Sequence, residues 1–141
     1  MTEPTERRRN TLLAGLVLMR RRAPDLSVSE MLAFLYVAEN PGIRIKELAL
    51  LMETTDATAS RASRALLDRD APGARPPGRG WLVMAANARE AVSRHLYLSP
   101  AGVDLVETLD GLIRSARPIG VRSPPQELGL PRVDTDLAGG G

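Results

Sequence analysis

The sequence contains no cysteine and a single histidine, His95. Without thiols, disulfide bonds, thiolate metal sites and cysteine nucleophiles are excluded, and one imidazole cannot supply a site that needs two. Aromatic residues make up only 3% of the chain, namely Phe34, Tyr36, Trp81 and Tyr97. Four rings are too few for a platform on which several bases of a single strand could stack. The core must therefore consist mainly of leucine, valine, alanine and methionine.

Long apolar runs are also missing. Every apolar stretch falls far short of the ~20 residues that span a bilayer, and the first one is broken by Arg20, Arg21 and Arg22. We therefore expect no membrane span, no signal peptide and a cytoplasmic location.

The composition is that of one globular domain, because 43% of the 141 residues are hydrophobic and 26% are charged. The net charge is only +2, yet the pI is about 9.6, since Lys46 is the only lysine and the other basic residues are arginines. Arginine dominance reflects either a GC-rich genome or the recognition of phosphates and guanine edges, which suit its planar fork.

Helical spacing of apolar residues predicts two helices in the first 40 residues. Residues 5–22 form the first amphipathic pattern, which Pro24 ends. Ser27 and Glu30 have the spacing of a capping box, and the second pattern runs from there to the Asn-Pro-Gly stop at residues 40–42.

Shorter elements follow the second helix. Residues 43–45 predict a very short strand, and residues 47–52 about two turns of a third helix. A four-residue joint, 53–56, separates it from a fourth helix over residues 55–69, with Thr54 or Thr55 as its cap.

The second half of the chain predicts a loop, a hairpin and one more helix. Residues 70–79, called the insert below, are rich in proline and glycine and cannot form a helix or a central strand. Residues 81–84 and 95–98 predict the two arms of a hairpin with a polar tip between them. Ser99 caps a last helix that runs to about Arg114.

The fourth helix carries the strongest indication of function. A helix seated in a major groove about 12 Å wide needs small residues on its inner side and donors or cations on its outer side. On a helical wheel one side of this helix is an inner stripe of apolar residues, and Ser60 and Arg64 lie nearly opposite that stripe. Arg61 lies on the flank, and no bulky apolar residue interrupts the outer face. The alternative is an ordinary solvated helix surface. The candidate DNA-contacting residues of this helix are Thr58, Ser60, Arg61, Ser63 and Arg64, and the inner stripe is Ala59, Ala62, Ala65 and Leu66.

The element order is that of a winged helix-turn-helix. TASRASRAL at residues 58–66 is similar to the recognition helix "T-V-S-R-x-V-x-x-L" of the MarR (multiple-antibiotic-resistance regulator) family, and residues 26–112 as a whole resemble that family. GWLV at residues 80–83 resembles the strand that follows this helix. LSPAG at residues 98–102 resembles the "L-T-x-x-G" start of the family's dimerisation helix.

The resemblance implies a mostly α-helical chain with a small β-hairpin (class α+β). Residues 1–25 would hold an N-terminal dimerisation helix, 26–99 the DNA-binding domain, 100–116 a C-terminal dimerisation helix and 117–141 a Pro/Gly-rich tail. It also implies a homodimer on pseudo-palindromic double-stranded DNA, a small-molecule effector as in many members, and no cofactor. Surplus apolar residues on the two outer helices agree with pairing between copies; they are Leu12, Leu16, Met19, Leu105, Leu109 and Leu112.

Two features depart from the family pattern. The insert replaces a tighter junction, and we expect it to be a flexible loop, the alternative being an arginine-bearing arm that lies in a minor groove. At the hairpin tip Asn87 stands where the family's Asp-x-Arg motif has its acid. Arg89, or nearly as well Arg94, is expected to contact DNA, and a solvated hairpin charge is the alternative. His95 is expected to be packed or solvated.

No acid pair, base–nucleophile pair or metal-ligand spacing stands out, so no enzymatic activity, catalytic residue or metal site is predicted. The competing hypothesis for the same fold is a protein-interaction or assembly module that does not read DNA. The modest net charge of +2 and the altered wing favour that alternative, whereas the polar face of the fourth helix favours DNA.

Overall fold

The computed structural model describes residues 9–87 and 90–120, in which helices and strands follow the order predicted for a winged helix. The α+β class is confirmed. The described elements are α1 (Thr11–Arg22), α2 (Val28–Glu39), β1 (Ile43–Arg44), α3 (Ile45–Leu51), α4 (Asp56–Ala65), β2 (Leu82–Asn87), β3 (Glu90–Leu98) and α5 (Pro100–Arg114).

Short polar side chains fix where four of these helices begin. Each accepts a hydrogen bond from a backbone N–H in the first turn, an interaction worth about 1 kcal/mol per helix. For α4 the cap is Thr55, whose Oγ1 accepts from the N–H of Thr58 at 3.1 Å. The other caps are Asn10 for α1, Ser27 for α2 and Ser99 for α5.

The third helix begins at Ile45, two residues earlier than predicted. Its start is stabilised by Glu47, whose Oε1 accepts from the backbone N–H of Arg44 at 3.0 Å and lies 3.1 Å from the Nε of the same arginine. These contacts hold the pKa of Glu47 below its usual range. The predicted short strand shrinks accordingly to Ile43–Arg44.

The three strands form one antiparallel sheet in the order β1-β3-β2. Its hairpin runs further than predicted, since Ala86 still pairs with Arg94 and Asn87 with Glu90 across an irregularity after Ala86. Asn87, Glu90 and Arg94 of the predicted tip therefore belong to strands. Alternation of apolar residues did not reveal this because the backbone ladder forms whether or not both faces are buried.

The core lies between the helices and the inner side of the sheet. Phe34 of α2 packs on Trp81 with 5.3 Å between ring centroids. Around this pair lie fully buried leucines from four different segments, so the few large side chains are concentrated at one place. These leucines are Leu48, Leu66, Leu82 and Leu96, and Leu105 of α5 is buried as well.

The outer helices α1 and α5 run antiparallel to each other. At one end the backbone N–H of Thr11 donates to the carbonyl of Arg117 at 3.0 Å, and at the other Arg22 pairs with Asp104 at 3.0 Å. The predicted Pro/Gly-rich tail, 117–141, is described only as far as residue 120, and residues 121–141 lie outside the described part of the chain.

Candidate nucleic-acid interface

The turn between α3 and α4 presents α4 as the second helix of a helix-turn-helix. The backbone reverses at Glu53, which has a φ of 54°, and the N–H of Thr54 donates to the carbonyl of Ala49 at 3.0 Å. The inward face of α4 is the stripe of small residues predicted from the sequence, and every member of it is buried. Small side chains on that face let α4 lie close to α2 and α3.

The first half of α4 presents polar groups outward, as predicted. Arg61 is exposed, and its Nη2 donates to the Oγ1 of Thr58 across a long 3.3 Å bond. Thr58 also accepts from the hydroxyl of Thr55 at 3.0 Å. The guanidinium of Arg61 thus keeps most of its five N–H donors available for a partner in solution.

Ser63 does not belong to this surface, contrary to the prediction. Its side chain is completely buried, and its Oγ donates within the helix to the carbonyls of Ala59 at 2.8 Å and Ser60 at 3.1 Å. In the structure Ser63 lies beside the buried Ala62, where a small hydroxyl can satisfy itself on the preceding turn. Its hydroxyl is therefore not a candidate for contacting bases.

Arg64 lies on the outer side of α4 but is only half-exposed. Its Nε donates to the Oγ of Ser60 at 2.9 Å and its Nη1 donates to the carbonyl of Gly73 at 3.2 Å. Gly73 belongs to the insert, so the insert binds one of the two residues that the helical wheel placed nearly opposite the inner stripe. The other is Ser60, which accepts the bond from Arg64 and is half-buried.

The predicted α4 is too long at its C-terminal end, which lies at Ala65 and not near residue 69. The N–H of Leu66 turns back to the carbonyl of Ser63 at 3.1 Å, while its own carbonyl accepts from the N–H groups of Trp81 and Leu82 at 2.8 and 3.0 Å. Pairing with the residues that open β2 therefore replaces a further helical turn. Helix-forming composition alone could not reveal this competition.

The insert is an ordered segment and not the flexible loop expected from its proline and glycine content. The N–H of Arg75 donates to the carbonyl of Arg64 at 3.0 Å, and that of Arg79 to the carbonyl of Ala65 at 2.9 Å. Directly after the insert, the N–H of Gly80 donates to the carbonyl of Leu67 at 3.2 Å. The segment thus follows the end of α4 closely.

Arg79 is the most deeply placed charge of the insert. Its side chain is only 9% exposed, and it bonds Glu30 through Nε at 3.0 Å and Asp25 through Nη1 at 2.9 Å. The hydrogen bond from Arg79 holds the pKa of Asp25 below its usual range. Burial by itself lowers the pKa of Arg79, but the bonds and charges of Glu30 and Asp25 outweigh it and raise the pKa. A minor-groove role for Arg79 is excluded by this engagement.

The predicted capping box of α2 forms only in part, because Glu30 pairs with Arg79. Ser27 does accept from the N–H of Glu30 at 3.0 Å. The carboxylate of Glu30, however, is directed to Arg79. Only the first half of the box therefore forms.

The structure describes one of the two predicted wing arginines, Arg94. Arg89 lies outside the described residues. Arg94 is exposed on β3, opposite Ala86. Next to it, His95 places its Nδ1 2.8 Å from the carbonyl of Gly42, so the ring is packed against the β1 side of the sheet, one of the two situations expected for it.

Among the described residues, no three His, Cys, Asp or Glu side chains come together as a metal site would require. No described helix has the length and apolar character of a membrane span.

No family model and no curated protein sequence matches the chain. Solved structures do match it. MarR is 17% identical, with a TM-score of 0.51 and coverage of 74% of this chain and 71% of that chain. MepR from Staphylococcus aureus in a DNA complex is 16% identical, with a TM-score of 0.52 and coverage of 74% and 82%. FabT from Streptococcus pneumoniae in complex with DNA is 17% identical, with a TM-score of 0.56 and coverage of 74% and 66%.

At these identities the likeness establishes the fold. The chain has the winged-helix fold of MarR-type transcriptional regulators, and the resemblance stated from the sequence is confirmed at that level.

Proposed function

We propose that this protein is a transcriptional regulator that binds double-stranded DNA in a sequence-specific way. The observation that carries the proposal is the two-sided character of α4: a buried stripe of alanines on one side and the exposed Arg61 beside Thr58 on the other. Such a helix can enter a major groove without steric obstruction, and an arginine fork matches the O6 and N7 acceptors of guanine. The fold that it shares with regulators solved in DNA complexes supports the same function.

Within this proposal the contacts are unequal. Arg61 reads a base edge, while Thr58 and Ser60 contribute hydroxyls near the backbone of the duplex. Arg94 meets phosphate from the hairpin, and Arg89 remains a proposed wing contact from the sequence. Arg64 reads bases only if the insert releases it.

The active form is proposed to be a homodimer on a pseudo-palindromic operator. An apolar groove of about 590 Å³ opens between α1, α2 and α5. Leu12 and Ile113 on its rim are each 60% exposed, a condition that burial against a second copy would relieve. Met19 and Leu105, which the sequence assigned to the dimer surface, are instead buried within the protomer. The groove's main apolar residues are Leu12, Leu16, Leu35, Leu109, Leu112 and Ile113.

Sedimentation at micromolar concentration tests the dimer and should give about twice 15.2 kDa. Leu12→Asp should shift the population to monomer, because a charge cannot be buried at an apolar contact without a partner. Ala57→Asp, on the exposed side of α4, is the matched control and should leave the mass unchanged. A wild-type protein that is monomeric both free and on DNA would contradict the dimer.

If the groove instead holds a small-molecule effector, added ligand should compete with a fluorescent apolar probe.

A gel-shift against the DNA that flanks the protein's own coding region tests the function. Specific retention should survive an excess of random duplex. Arg61→Ala should lower the preference for the operator over random duplex. Arg75→Ala removes the same charge from an exposed insert position and should weaken binding to both duplexes alike.

The competing function, a protein-interaction or assembly module, is favoured by one observation. Ser63 is buried and Arg64 is engaged by the insert, so the reading face is smaller than the sequence indicated. The interaction module would be favoured if wild type binds operator and random duplexes with equal affinity, and if Arg61→Ala does the same with unchanged circular dichroism.

A further inference from the structure

The C-terminal end of α4 has unusual partners for its carbonyl groups. The last carbonyls of a helix have no acceptor role inside it and are commonly satisfied by a glycine turn directly after the helix. Here the carbonyls of residues 64 and 65 accept from Arg75 and Arg79, which lie at least ten residues further along the chain. The direction in which α4 ends therefore depends on where the insert lies.

The insert lies so close to Arg64 of α4, and to Arg69 just beyond the end of that helix, that it requires glycine at two positions. At Gly78, with a φ of +72°, an added Cβ would lie 2.6 Å from the Cα of Arg69. At Gly73, with a φ of +81°, an added Cβ would collide with the Nη1 of Arg64. The first contact is with backbone, which cannot yield, and the second is with the end of a flexible side chain.

Arg79 connects this arrangement to the start of α2 and to the link that precedes it. Glu30 lies in the first turn of α2 and Asp25 in the link between α1 and α2, so one guanidinium joins two points there to the end of α4. Glu30 is only 13% exposed, and without Arg79 its carboxylate would keep a poorly solvated charge with no cation beside it. Lysine could not replace this fork, because a single ammonium does not present two divergent N–H groups in one plane.

We propose that the insert braces α4 and that Arg79 is a positioning residue, which holds the reading face of α4 in place through the insert without contacting DNA. This inference rests on the proposed DNA-binding function. It assigns Arg64 to the brace as well, so that Arg61 alone of the two α4 arginines is free to read a base.

Three readouts test the brace in the 141-residue chain, with Arg79→Met compared with Arg75→Met. Both variants lose one positive charge from the insert, but only the first loses the ion pairs. We expect Arg79→Met to speed amide exchange at residues 75 and 79–81 by about tenfold or more, since these N–H groups then open locally. Emission of Trp81, the only tryptophan, should shift to longer wavelength. Arg75→Met should change neither, because the bond from residue 75 to the carbonyl of Arg64 comes from the backbone N–H, which methionine keeps.

The third readout is the ratio of operator to random-duplex affinity, measured where all variants are folded. We expect Arg79→Met to lower this ratio about tenfold, because a misplaced helix loses base contacts and keeps its non-specific attraction. Arg75→Met should leave it unchanged. A purely structural role would alter the amide exchange and not the ratio, which would overturn the positioning claim.

Two further variants keep the test decisive. Arg79→Lys retains the charge without the fork and should behave like Arg79→Met, whereas wild-type behaviour would overturn the claim that geometry matters. If Arg79→Met does not fold, Glu30→Gln removes the charge of the buried partner, which is only 13% exposed, and should lower the ratio in the same direction. An unchanged ratio in Glu30→Gln would then overturn the proposal.

Failure of the proposed function can be told apart from failure of the brace. If the wild type binds no duplex specifically, DNA reading and the positioning role both fall. Amide exchange and Trp81 emission still decide independently whether Arg79 holds the insert against α4. If the wild type binds its operator and all these variants match it, only the brace is overturned.

Discussion

The two arginines of α4 lie three residues apart and have the same chemistry, yet they differ in exposure and in hydrogen bonding. Arg61 is exposed and holds one long bond to Thr58, whereas Arg64 is half-buried and bonded to both Ser60 and Gly73. The difference comes from the insert, which passes over the end of α4 and leaves its beginning open. The availability of a surface side chain is thus set by segments that pack on it, and not by its position on the helical wheel.

The largest effect should come from breaking the anchored end of α4. Leu66→Ala should destabilise the protein by about 2–5 kcal/mol, because Leu66 is completely buried and its loss leaves a cavity. Leu50→Ala is the matched control, since Leu50 of α3 is 75% exposed, and it should change stability by less than about 0.5 kcal/mol. Urea unfolding followed by circular dichroism measures both. Similar losses in the two variants would mean that the end of α4 is not an anchor.

The comparison of the two arginines is sharpened by their alanine variants. Arg61→Ala should reduce operator affinity by about 1–3 kcal/mol and relax preference at one base pair, as expected for loss of a bidentate contact. Arg64→Ala should accelerate amide exchange of Arg75 and disturb preference at several base pairs at once. Competition with operators substituted at single positions distinguishes the two patterns. A single-position effect from Arg64→Ala would show that Arg64 also reads a base.

The wing should give a smaller and sequence-independent effect. Arg94→Ala removes an exposed cation from β3, so it should lower affinity similarly for operator and random duplexes and reduce the salt slope by about one unit. Titrations at several salt concentrations provide the slope. An unchanged slope on both duplexes would mean that Arg94 stays in solvent and that the hairpin contacts DNA elsewhere or not at all.

The smallest effect should be a change in the stability of the protein at low pH. The pKa of Asp25 is lowered by its hydrogen bond with Arg79, so the pairing contributes stability above the ordinary aspartate value of 3.8 and loses it as the pH falls through the lower folded value. Wild type should therefore lose slightly more stability than Asp25→Asn when the pH is lowered from 5 to about 3. The difference should be small because Asp25 is largely exposed. Parallel stability curves for the two proteins would contradict the pairing in solution.

Much of the site was predictable because its signals are local. Thr55 caps α4 through a bond to a residue three positions away, and the alanine stripe follows from helical periodicity. Ser63 was misassigned because a wheel gives its angle but not its depth. The end of α4 was misplaced because the bonds that stop it come from Trp81 and Leu82, which lie well outside any local window.

The amino-acid sequence by itself determined the order of elements, the starts of α2, α4 and α5, the buried stripe of α4 and the winged-helix class, since each depends on capping, periodicity or turn residues within a few positions. Only the tertiary structure decided that the Pro/Gly-rich insert is ordered, that Arg79 joins Asp25 and Glu30, and that Arg64 is covered. These contacts link residues 9 to 54 positions apart. Their formation depends on how whole elements pack, because a buried charge is satisfied by whichever opposite charge the fold brings to it.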